Sequence, residues 1–73
     1  MNISQWTDRG DAAALEDLRA GHVGEWDRNA VLTHLGIASE DDTDAVACGL
    51  DGEDLAAAQR AALAGYARRM EQG

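Results

Sequence analysis

The chain has 73 residues, 45% of them apolar, with 14 acidic and six basic side chains and a formal net charge of -8 at pH 7. That length makes one small domain over residues 1–73, able to bury only about 60% of the surface its unfolded form exposes. Its single Cys excludes an internal disulfide, no run approaches the roughly 20 apolar residues of a membrane span, and the charge opposes direct binding of nucleic acid.

Pro is absent and eight Gly punctuate the chain, so it reads as helices separated by glycine. The first helix is predicted from about Asp11 to Ala20, with Ala14, Leu15 and Leu18 on one face and Asp8 or Asp11 as its cap. A longer alternative begins near Ser4, because Ile3, Trp6, Gly10, Ala14 and Leu18 form one stripe. Gly10 is then a weak point costing about 1 kcal/mol relative to Ala. Gly21 stands where a left-handed C-terminal residue belongs.

The second helix is predicted from about Gly24 to Leu35, with Trp26 and Ala30, and Val31 and Leu35, as pairs one turn apart. Gly36 then Ile37 reads as a Schellman ending, the apolar residue folding back on the last turn. The third helix is predicted from about Glu40 to Cys48, with Ser39 as N-cap and Asp42 in the role of a capping-box acid. Glu40, Asp41 and Asp42 then fall in its first turn, where the helix dipole favours anions, and Gly49 ends it. The fourth runs from about Glu53 to Met70, capped by Asp51. Leu55, Ala62, Leu63, Tyr66 and Met70 recur at helical spacing, and Arg68 and Arg69 suit the negative end of the dipole. The expected fold is all-α, a compact bundle of three to four helices with no sheet.

Fifteen of the apolar residues are Ala. The core is therefore expected to lean on a few large side chains: Leu18, Leu35, Leu63 and one or both of Trp6 and Trp26. A core this small often gains stability from a partner or from self-association, so a homodimer is kept open.

Charge is the most informative pattern. Residues 29–59 carry Glu40, Asp41, Asp42, Asp44, Asp51, Glu53 and Asp54 and no Lys or Arg. Arg28 and Arg60 bracket the stretch, and outside it seven acids meet six arginines. These acids stand where ordinary helix starts carry them, which needs no function. Helix starts do not explain the missing counter-charge, since a surface built for stability mixes signs and gains i,i+4 pairs. The seven acids are therefore the candidate partner-binding residues, and the partner they suit is a cationic protein surface.

No catalytic, cofactor-binding or metal site is expected. EF-hand registers starting at Asp42 or Asp51 fail, because Val46 and Leu55 fall where a third acid is needed. His22, His34 and Cys48 match no zinc spacing. His34 suits a helix C-terminus, and Cys48 reads as a small buried hydrophobe. Ser4 and Ser39 read as caps, and no phosphate-binding glycine signature is present. A helix-turn-helix DNA reader needs cations, and helices two and three offer only Arg28. The start Met1-Asn2-Ile3-Ser4 does not read as a signal peptide, and a lone thiol fits the cytoplasm.

B-DNA carries one negative charge per about 1.7 Å of axis, and an α-helix rises about 1.5 Å per residue. Acids on helix starts can therefore imitate phosphate spacing. In size, acidity, helicity and lack of chemistry the chain resembles small phage-encoded inhibitors of the DNA-mimicking anti-CRISPR and anti-restriction type. That resemblance rests on overall character, without a shared motif, so no residue is carried over from it. It implies a protein that is not an enzyme, needs no cofactor and occupies the basic surface of a nucleic-acid-binding enzyme. A second class is a helical regulatory or structural interaction protein (adaptor, antitoxin-like or phage assembly factor) docking through an apolar helix face.

Overall fold

The computed structural model describes residues 3–21 and 27–72. They form four helices in chain order: α1 (Ile3–Ala20), α2 (Arg28–His34), α3 (Thr43–Cys48) and α4 (Gly52–Gln72). No strand occurs among the described residues. The all-α bundle expected from periodicity is the fold.

The first helix takes its longer form. Ser4, Asp8, Gly10 and Asp11 all lie inside α1, so neither aspartate caps it. Gly10 is also where α1 meets α4. A Cβ built on Gly10 would overlap the carbonyl oxygen of Ala62, and one on Gly65 would overlap the carbonyl oxygen of Thr7. Trp6, Gly10, Ala13, Ala14 and Asp17 form the buried face of α1. Leu55, Ala58, Ala61, Ala62, Gly65 and Tyr66 form that of α4. Small residues on both faces allow the backbones to touch, and this contact is the main interface of the fold.

The two long helices run in the same direction. Trp6 packs in one cluster with Leu55, Ala58 and Ala62, whereas Ala13 and Ala14 pack with Tyr66 and, at the edge, Met70. Residue numbers thus rise together along both. The shorter α2 returns the chain, with Val31 in the Ala13–Tyr66 cluster and Leu32 in the Trp6 cluster. α2 begins at Arg28, later than Gly24, because the Asp27 carboxylate accepts the Ala30 N–H at 2.7 Å and sets the start there. The positions of His22, Val23, Gly24, Glu25 and Trp26, and the pairing of Trp26 with Ala30, lie outside the described residues.

The Schellman ending of α2 is present. Gly36 takes φ 75°, its N–H donates to Thr33 O at 3.1 Å, and the Ile37 N–H donates to Leu32 O at 3.0 Å. Ile37 is driven fully into the core by that turn.

The large-residue core is a correction. Leu18, Leu35 and Leu63 are only half-buried, and Ile3 and Val46 are exposed. Trp6, at 1% exposure, is the main aromatic anchor, surrounded by Ile37, Leu32, Leu50, Leu55 and alanines. The reason is the seam: the backbones meet so closely at Gly10 and Ala62 that not even a Cβ fits at Gly10, and small residues fill the centre of the interface.

Two polar ties fasten α1 to the second half of α4. The Tyr66 hydroxyl donates to the Asp17 carboxylate at 2.6 Å, with Asp17 itself only 9% exposed. The Arg69 guanidinium donates to both oxygens of Asp11, at 2.7 and 3.1 Å. Tyr66→Phe removes the donor and leaves a carboxylate inside the protein without it. An orphaned buried charge costs about 1–3 kcal/mol or more. Urea unfolding followed by circular dichroism should therefore place Tyr66→Phe clearly below wild type. Asp17→Asn, which keeps an acceptor for the phenol, should lose less. Equal stability of Tyr66→Phe and wild type would show that the tie contributes nothing.

Candidate functional site

The seven acids gather around the α2–α3 connection, α3 and the start of α4. The left-handed Gly36 and the buried Ile37 redirect the chain out of α2. A Cβ on Gly36 would stand 3.1 Å from side-chain atoms of Asp44, so the start of α3 is seated against this turn. The Ala45 N–H donates to Gly36 O at 3.0 Å. From α4, the Gln59 amide donates to Ile37 O at 2.9 Å and also reaches Ala38 O at 3.4 Å.

The third helix starts later than its sequence suggests. Residues 39–42 form a turn closed by the Asp42 N–H on Ser39 O at 3.2 Å, and α3 begins at Thr43. Ser39 is not its N-cap, and Glu40, Asp41 and Asp42 are not in its first turn. Asp42 occupies the cap position without a side-chain bond to the helix. Its carboxylate turns backwards and accepts the N–H groups of Ala38 at 2.6 Å and Ser39 at 3.1 Å, and the Ser39 hydroxyl at 3.4 Å. The local preference of Asp for backbone N–H groups wins over helix extension here. At the far end Gly49 is left-handed, as expected, and the Leu50 N–H closes on Ala45 O at 2.8 Å.

Glu40 joins the two parts of the acidic stretch. Its carboxylate accepts the N–H of Gly52, the first residue of α4, at 3.1 Å. That N–H is one of those a helix start leaves without an internal partner. Asp51 precedes it, its backbone carbonyl accepting from Asp54 at 3.0 Å and Leu55 at 3.1 Å, and Glu53 and Asp54 occupy the first turn. The turn carrying Asp41 is thereby held beside the start of α4.

Asp44 has a counter-ion that lies far away in sequence. Arg9 of α1 approaches its carboxylate at 3.6 Å, and the same guanidinium lies over the Trp6 ring, 4.5 Å from its centre. Arg9 thus covers the main core aromatic and neutralises one acid. Both groups are part-exposed, so the ion pair itself is worth about 1 kcal/mol or less.

The seven acids therefore divide. Glu40, Asp42 and Asp44 are engaged by the chain's own groups. Asp41, Asp51, Glu53 and Asp54 are exposed and make no side-chain hydrogen bond or ion pair with another described residue. Arg60, at the C-terminal border of the acidic stretch, is exposed, while Arg69 is spent on Asp11.

Of the soft-ligand residues, His34 and Cys48 are described and His22 lies outside the described residues. Cys48 is exposed and is not the buried hydrophobe expected from its type, because α3 turns its 46–48 side to solvent. His34 ends α2 and lies 3.9 Å from Glu16 of α1. No group of three metal-binding side chains comes together among the described residues. No described helix is long and apolar enough to cross a membrane.

Three titrations are shifted among the described residues. The hydrogen bond from Arg69 holds the Asp11 carboxyl below its usual range, and that bond in turn raises Arg69. Burial, with the bond to Asp17, pushes the Tyr66 phenol well above its usual value. A depressed carboxyl stabilises the fold above its unfolded pKa and loses that contribution as pH falls through its folded value. A raised phenol stabilises the fold below its unfolded pKa and loses that contribution as pH rises through its folded value. Asp11→Asn should therefore flatten the acid side of the stability profile, and Tyr66→Phe the strongly alkaline side. Melting temperatures taken across pH would show the loss of slope on the acid side for Asp11→Asn and on the alkaline side for Tyr66→Phe.

Compared with known proteins, the chain matches no family model, no curated protein and no solved structure.

Proposed function

We propose that the protein binds a cationic surface of a nucleic-acid-binding protein and competes there with the nucleic acid. The observation that supports this reading is the group of exposed, unengaged acids Asp41, Asp51, Glu53 and Asp54, drawn toward one helix start by the Glu40 bond to Gly52. The Asp27 carboxylate is engaged by its own helix start, and the Asp42 carboxylate by the turn before α3. These four remain available to a partner. Their placement on a turn and a rigid first helical turn lowers the entropy lost on binding. The charge sign selects basic partners and repels phosphate.

The contact set in this reading is Asp41, Asp51, Glu53 and Asp54, while Glu40, Asp42 and Asp44 shape the surface. Reversing Asp41, Asp51, Glu53 and Asp54 together to Lys should weaken capture of the partner by at least about 100-fold, since like-charge contacts at an interface cost several kcal/mol. Lys at 51, 53 and 54 also opposes the α4 dipole by about 0.3–1 kcal/mol each, so melting is measured beside binding. A variant that remains folded at the assay temperature and still binds fully overturns the proposal. The partner comes from affinity capture out of extract of the native host, and its complex should dissociate as salt rises. In a gel shift at low salt the protein should leave duplex DNA unmoved.

A second reading has its own observation. Val46 is 64% exposed on α3, flanked by exposed Ala47 and Cys48. An adaptor or assembly factor would dock this apolar side, and its complex would withstand salt and fail on Val46→Glu.

A further inference from the structure

We draw no further inference here: the strongest candidate, the apolar groove between α2 and α4 lined by Val31, Leu63, Tyr66 and Ala67, is an unpartnered face, and nothing in the structure shows what covers it.

Discussion

Gly10→Ala should melt well below wild type, although alanine is the better helix former. Propensity alone predicts a gain of about 1 kcal/mol from this change. The added methyl, however, would meet the Ala62 carbonyl oxygen and carbon, which belong to the backbone and cannot rotate away. α1 and α4 must separate, and every contact along the seam loosens with them. Overpacking of this kind costs typically 1–3 kcal/mol, occasionally more, and exceeds the propensity gain. For a domain of this size each kcal/mol moves the melting point by about 4–8 °C. Gly65→Ala meets Thr7 O and the Asp11 N–H in the same way and should act in the same direction. The two changes widen one seam, so the double variant should lose less than the sum. A higher melting point for Gly10→Ala would mean the helices are not in backbone contact.

Trp6→Ala should leave little folded protein at 37 °C. Burial of Trp6 is nearly complete, and it shares one cluster with Leu32 of α2, Ile37 and Leu50 of the connections flanking α3, and Leu55 of α4. Truncating a buried Trp costs about 3–5 kcal/mol. A 73-residue domain carries roughly 4–11 kcal/mol in all, at about 0.05–0.15 kcal/mol per residue. Arg9 also loses the ring beneath it. Thermal unfolding should fall by at least about 12 °C, against which Leu18→Ala, at a half-buried site, is the comparison. A shift no larger than that of Leu18→Ala would displace Trp6 from the centre of the core.

Local signals in the sequence were reliable where the physics is local. Gly36 followed by Ile37 needs only a left-handed residue and an apolar one, and the ending of α2 follows. The fourth helix is legible for the same reason, with acids at its start, arginines near its end and apolar spacing between. Side-chain size is a poor guide to this core, whose seam is built from Gly and Ala. Trp6, Gly10, Ala13 and Asp17 repeat the spacing of Ala58, Ala62, Gly65 and Arg69, and that matched pair of faces was the available signal. The burial of Asp17 is not legible locally, because its charge suggests water and the phenol that donates to it lies 49 positions away.

The acidic stretch was legible as a stretch and only partly as a surface. Asp42 was assigned to helix capping, yet its carboxylate serves the turn before the helix. Arg9 lies outside any window drawn around residues 29–59, so its approach to Asp44 could not be read from the run of charges. Glu40 reaches across 12 positions to Gly52, beyond the reach of any local capping rule.

The shared direction of α1 and α4 has a bearing on how the chain reaches this state. Helices that point the same way cannot be joined by a tight reversal, and here roughly 50 positions separate Gly10 from Ala62. Closing so long a loop must be completed before the main interface forms, and topology of that kind slows helical proteins that otherwise fold in microseconds to milliseconds. On the ribosome, α1 emerges with Trp6 uncovered and waits for the last third of the chain. The seam that covers Trp6 can therefore close only once α4 has been synthesised.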